Sequence, residues 1–210
     1  MSAQPTKLWP TEAFGEPRSL ILASTSRYRA ALMDELGVPY LSAAPEFDER
    51  ALDHRFTEIE PAEFALELAE GKARSIASQH RDARIIAADQ IAVLDVDGVA
   101  TLLHQAGSED RAIEQLMSMS GRAHDLINGV VVLDTSTGAI RRGVDSHRVT
   151  MRTFSRREAE AYAAQFAPLD CVGSYRIEDN SDLIDSVVGG DRSGVIGLPL
   201  PLLRELLDDS

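Results

Sequence analysis

Apolar positions recur along this chain in two rhythms that divide it into strands and helices. A short run at 20–23 stops at Ser24-Thr25-Ser26, after which Ala31, Leu32 and Leu36 take up helical spacing before Gly37. That pattern predicts strand, polar turn, helix. Positions 40–44 read as a second strand. After a polar stretch, Pro61 opens the clearest helix, because Ala62, Ala65, Leu66, Ala69, Ala73, Ile76 and Ala77 recur at steps of three and four and so share one face. The run at 85–94 is compact and β-branched, interrupted only by Asp89-Gln90, and predicts a buried strand.

The second half continues the alternation. Ser108, followed by Glu109 and Asp110, suits the start of a helix carrying Ala112, Ile113, Leu116 and Met119, and Ser120-Gly121 ends it. Runs at 126–133 and 140–151 flank Thr135-Ser136-Thr137-Gly138 and predict a hairpin. Ser155 and Glu158 form a capping box for a helix through Gln165, with Pro168 beyond its end. A last strand at 183–188 leads through a Gly-rich loop to Leu198-Pro199 and a C-terminal helix. There is no internal repeat and no low-complexity tract.

Composition sharpens this. Hydrophobic residues make up 44% of the chain but aromatics only 5%, which points to an Ala, Val, Leu and Ile core of the α/β kind and away from an all-β sandwich. A length of 210 residues suits one core. Positions 1–17, with Pro5, Pro10, Pro17 and no continuous apolar stretch, read as a loose extension and not a signal peptide, leaving 18–210 as a single domain. The formal net charge of −13 disfavours a nucleic acid polymer or an anionic membrane as partner. A small anion in a cleft lined by a few cations is still compatible with it. The lone Cys171 and the lack of any apolar stretch of membrane-spanning length set the expectation of a cytoplasmic protein.

Two segments carry candidate chemistry. Ser24, Ser26 and Arg29 stand where a strand hands over to a helix, where backbone N–H groups, hydroxyls and a guanidinium can hold phosphate. An ordinary Ser N-cap followed by solvated arginines has the same pattern, and P-loop spacing is missing. The acidic set is Asp48-Glu49, in a loop after a strand, and Asp89, inside an apolar strand. Carboxylates converging near phosphates hold a hard cation or take a proton from water, and an ionised group in a buried strand must be paired or ligated. The alternative puts Asp89 at the strand exit, facing water, and Asp48-Glu49 in a solvated loop. Lys72 at the edge of its apolar helix face either reaches a cleft or snorkels. The histidines show no metal-ligand spacing.

In this order the segments resemble the Maf family of nucleotide pyrophosphatases. The similarity runs through Leu22-Ala23-Ser24-Thr25-Ser26 with Arg29, Asp48-Glu49, 68–73, 85–90, Ser120-Gly121 with His124, Gly173-Ser174-Tyr175 and Gly197-Leu198-Pro199-Leu200. The resemblance implies a mixed central sheet flanked by helices, two lobes with a cleft between them, and a homodimer. It further implies cleavage of the α–β phosphate bond of a small-molecule nucleotide with a divalent cation, Mg or Mn. By position, Asp89 then looks like the catalytic acid/base, Ser24, Ser26, Arg29 and Lys72 the phosphate ligands, and Glu49 with Asp89 the metal ligands. Tyr28, Gln90 and Glu178 look like the base-reading set of the 7-methyl-GTP pyrophosphatase subgroup. The thymidine and uridine subgroup, acting on dTTP and UTP, is the alternative. Gln105 stands where the family usually has Lys, which fits a second alternative, a catalytically weak nucleotide-binding regulator of cell division.

Overall fold

A computed structural model describes residues 19–179 and 181–208; the expected N-terminal extension at 1–17 lies outside them. Strands β1 (Ser19–Ala23), β2 (Tyr40–Ala43), β3 (Ala83–Val96), β4 (Val99–Leu103), β5 (Ala123–Asp134), β6 (Ile140–Met151) and β7 (Ile184–Gly189) form one mixed sheet. The order is β2-β1-β3-β5-β6-β7, with β4 also paired to β3. β1 runs parallel to both neighbours, while the long β3-β5-β6-β7 section is antiparallel. Helices α1 (Arg27–Asp34), α2 (Pro61–Ile76), α3 (Glu109–Met119), α4 (Arg156–Phe166), α5 (Arg192–Ile196) and α6 (Leu200–Leu207) complete the mixed α/β architecture expected from the alternation. Among the described residues no helix is long and apolar enough to cross a membrane.

The predicted elements appear with shifts of a few residues at their ends, and the caps account for the boundaries. Ser26, Ser108 and Ser155 accept from Arg29, Arg111 and Glu158 N–H respectively, and at Ser155 the capping box closes in both directions. Three elements differ from expectation. The polar stretch before Pro61 is a 3₁₀ helix over Glu49–Thr57, not a loop, because Asp48 caps it by accepting from Arg50 N–H at 3.1 Å. β4 was missed, although Asp97-Gly98 carries its signal: both residues have positive φ, 55° and 85°, as a tight hairpin turn needs. The Gly-rich loop holds the short helix α5, started by the Asp191 side chain accepting from Ser193 N–H.

How β3 is paired opens the molecule. Its start pairs with β1 as far as Ile86, and its end pairs with β4 from Ala92 onward. Between them no strand pairs with β3 on that edge among the described residues, while β5 pairs with it throughout on the other. Two lobes part at this gap. One lobe packs Leu22, Leu32, Met33, Ile86 and Leu198 together, and the other packs Leu94, Leu116, Met119, Met151 and Tyr162.

His124 ties the second lobe down. It is buried on β5 and shares a 2.8 Å hydrogen bond between Nε2 and the Tyr175 hydroxyl. Burial, helped by Arg148, lowers its pKa to about 4 from 6.5. Between those values the unfolded chain binds a proton that the folded one does not, so stability falls as pH drops from 6.5 toward 4. The full effect, reached below pH 4, is about 3.5 kcal/mol, at roughly 1.4 kcal/mol per unit, with most of it present by pH 4.5. Urea denaturation at pH 7 and pH 4.5 is expected to show this loss in the parent protein, and a shallower pH slope in His124→Gln.

Candidate functional site

The gap in β3 leads into a cleft of about 690 Å³, within the range of small-molecule sites. Nine of the residues singled out above line it, Ser24, Ser26, Tyr28, Arg29, Glu49, Lys72, Asp89, Gln90 and Glu178, whereas Asp48 does not and is used to cap the 3₁₀ helix. Asp89 lies opposite Gly129 in the middle of the β3-β5 ladder and is 5% exposed. It therefore sits in the strand's buried centre, and the exit-facing alternative is set aside.

Lys72 explains how Asp89 survives there. Its ammonium donates to Asp89 Oδ1 and lies 2.8 Å from Glu49 Oε1, so it does not snorkel outward but bridges the two carboxylates. Two glycines let these parts meet. A Cβ on Gly129 would stand 2.3 Å from Ala65 O, so only glycine admits α2 this close to β5. A Cβ on Gly71 would meet the Phe47 ring at 2.2 Å, and Phe47 belongs to the loop that delivers Asp48 and Glu49. Burial raises the pKa of Asp89, against the lowering pull of Lys72 and Arg29.

Across the cleft stands the N-terminus of α1. Ser24 Oγ accepts from Ser26 N–H at 3.1 Å and Ser26 Oγ from Arg29 N–H at 3.3 Å. The first turn carries no acidic side chain, so its positive end is not neutralised locally. Arg29 donates through Nε to Gly197 O at 2.9 Å, and burial lowers its pKa against the pull of Asp89 and Glu49. The N-cap reading of this segment and the anion-site reading are thus compatible: the capping serines face the same cleft as Asp89.

Alternation along β3 sends neighbouring side chains to opposite faces. Asp89 shares the α2 face with Ile85 and Ala87, whereas Gln90 shares the α1 and α5 face with Ile86 and Ala88. At the Gln90 side, the Tyr28 hydroxyl accepts from Arg27 Nη2 at 2.7 Å and from Arg176 Nη1 at 3.2 Å, and the Arg27 guanidinium lies 4.8 Å from the ring centroid.

A family model described as Maf-like protein matches residues 19–210. The chain belongs to the Maf family. Its relatives include a Hahella chejuensis protein named 7-methyl-GTP pyrophosphatase, 38% identical over 190 residues that cover 90% of this chain and 92% of the relative. Proteins of the same name from Syntrophotalea carbinolica and Pseudomonas putida are each 36% identical over 189 residues, covering 90% of this chain and 92% and 94% of their own lengths.

The cleft of this Maf protein also contains residues that the sequence reading passed over: Arg50, Asp53, His104, Asp170 and Arg176. Arg50 directly follows Glu49 and Arg176 directly follows Tyr175, so adjacency to a recognised motif was the available signal. Gln105 lines the cleft as well, where Arg50 supplies a cation near it. Among the described residues no three His, Cys, Asp or Glu side chains gather as a metal cage. The donor set nonetheless fits a magnesium-like ion, since Glu49 and Asp89 already share one cation position and such ions use one or two carboxylates plus substrate phosphates. Cys171 is a half-buried free thiol whose pKa burial pushes up to about 12, which keeps it protonated and disfavours it as a nucleophile.

Removing one partner of a buried ion pair leaves the other charge uncompensated. Lys72→Met is expected to lower stability by about 3 kcal/mol. Adding Asp89→Asn should recover at least half of that loss, as measured by urea denaturation of the single and double variants.

Proposed function

We propose that this protein hydrolyses the α–β phosphate bond of a modified purine nucleoside triphosphate, 7-methyl-GTP first, to the monophosphate and diphosphate. The observation that carries the reading is the buried Asp89 carboxylate, raised in pKa, facing an uncompensated helix N-terminus and Arg29 across a nucleotide-sized cleft. The names of the relatives supply the base.

The triphosphate is held by Ser24, Ser26, Arg29 and Lys72, whose donors position it without reading the base. Glu49 and Asp89 would hold a divalent cation, Mg or Mn, which when bound neutralises charge on the phosphate oxygens. Asp89 takes a proton from the attacking water as its oxygen bonds to a phosphorus of the α–β bridge. The bridging P–O bond breaks, and its electron pair stays on the bridging oxygen, which departs with the fragment not attacked, so that monophosphate and diphosphate separate. A raised carboxyl pKa favours this, since a stronger base accepts the proton more readily. Tyr28 and Glu178 meet the purine: the Tyr28 ring already engages the cation of Arg27, and an N7-methylated purine offers a positive charge to the same kind of face.

Two measurements test this. Asp89→Asn should reduce pyrophosphate release about a hundredfold or more while the variant stays folded, and near-parental turnover would remove Asp89 from the chemistry. Among substrates, 7-methyl-GTP should exceed dTTP and UTP in kcat/KM, and Glu178→Gln should narrow that gap more than it slows UTP. A higher kcat/KM for the pyrimidines would replace the purine reading by the dTTP and UTP one.

A further inference from the structure

Gln90 is a side-chain amide whose two ends offer a ligand opposite things, a donor at nitrogen and an acceptor at oxygen. In this structure the choice has been made. Gln90 Nε2 donates toward three oxygens: Gly194 O at 3.0 Å, Val195 O at 3.1 Å and Asn128 Oδ1 at 3.2 Å. Two hydrogens shared among three acceptors leave none for a ligand. The two backbone carbonyls cannot donate, so rotating the amide by half a turn would set oxygen against oxygen.

Asn128 is held the same way from behind. It is fully buried on β5 and donates through Nδ2 to Gly194 O at 2.8 Å and to Asp145 Oδ2 at 3.2 Å. A carboxylate only accepts, which fixes which end of Asn128 is nitrogen and turns its oxygen toward Gln90. Asp145 Oδ2 also lies 2.6 Å from His147 Nε2, and His147 is itself buried. The bond requires the proton on Nε2. A Cβ at Gly194 would fall 2.1 Å from Asp145 Oδ2 and 2.2 Å from His147 Nε2, so only a glycine lets α5 bring its carbonyl onto this network. None of Asn128, Asp145 and His147 lines the cleft.

We propose that Asn128, oriented by Asp145 and His147, is a positioning residue that locks Gln90 with its oxygen toward the cleft, so that the base beside Asp89 is selected through a hydrogen-bond donor. The partner chemistry follows. Guanine carries a ring N–H and a 2-amino group on one edge, both donors, whereas adenine, in the same register, offers an unprotonated ring nitrogen and a C–H there, its one amino donor lying at the opposite end of the edge, so a locked acceptor meets another acceptor. Asn128 therefore acts on base selection through Gln90, not on the phosphates.

This inference rests on the nucleotide-hydrolase reading only for its substrate arm. The first arm uses the protein without substrate: in ¹⁵N-glutamine-labelled protein, the Gln90 side-chain amide protons, assigned by their loss in Gln90→Ala, should exchange at least about tenfold slower than those of exposed glutamines. Fast exchange in the parent protein overturns the lock, and Gln90→Ala is needed only to assign the signals. In Asn128→Ala, Gln90 exchange should accelerate, and unchanged protection in the folded variant would show that the Gly194 and Val195 carbonyls suffice without Asn128. The second arm compares GTP with ATP. Asn128→Ala should narrow the parental GTP preference in kcat/KM about tenfold, the worth of roughly one hydrogen bond, with KM for GTP rising more than kcat falls. An unaltered ratio overturns the selective role. If the parent protein cleaves neither nucleotide, nor 7-methyl-GTP, while Gln90 is protected, the hydrolase reading fails and the lock stands.

Discussion

One buried carboxylate in an incompletely paired strand governs this structure. β3 is hydrogen-bonded by β1 at its start and by β4 at its end, and the stretch between Ile86 and Ala92 borders a cleft. Asp89 occupies that stretch at 5% exposure. An isolated carboxylate there would be too costly to keep ionised, so the fold must bring a cation to it. Lys72 is that cation, and its arrival requires α2 to lie against β5 at a distance that Gly129 alone permits. The same ammonium then draws Glu49 in from a separate segment. A pair built this way is poor evidence for stability on its own. Its value is that it gathers two carboxylates and a cation at one point of the cleft.

The second organising fact is the strand's period of two. Asp89 and Gln90 are neighbours in sequence yet project to opposite faces of the sheet. On one face Asp89 meets α2 and the acidic segment, where charge dominates; on the other Gln90 meets the carbonyls of α5, where hydrogen-bond polarity dominates. Because the strand edge is open at this point, both side chains still line one cleft. A charged site and a hydrogen-bonding site can therefore be adjacent without sharing residues. The protein as a whole carries a formal charge of −13, but in the cleft lining Arg27, Arg29, Arg50, Lys72 and Arg176 balance Glu49, Asp53, Asp89, Asp170 and Glu178, so an anionic ligand meets far less negative charge there than the mean field of the chain presents.

Much of this was legible from the amino-acid sequence, and the reasons are local. Helix faces follow from apolar spacing, the helix starts at Ser26, Ser108 and Ser155 follow from short-range capping, and an acid within the Ile, Val and Ala run at 85–94 marks itself by its cost of burial. The ordered motifs, read together, also gave the family and nine candidate site residues that all line the cleft. What only the tertiary structure decided is contact across long separations. Nothing near position 72 says whether its ammonium reaches solvent or Asp89, because that depends on how closely α2 approaches β5. Nothing near Asn128, Asp145, His147 or Gly194 says that they converge behind Gln90, because each is ordinary in its own element and the network exists only once β5, β6 and α5 are packed. Periodicity and capping act within a few residues of chain; ion pairing and hydrogen-bond polarity at this site join segments that the fold alone brings within 3 Å or so.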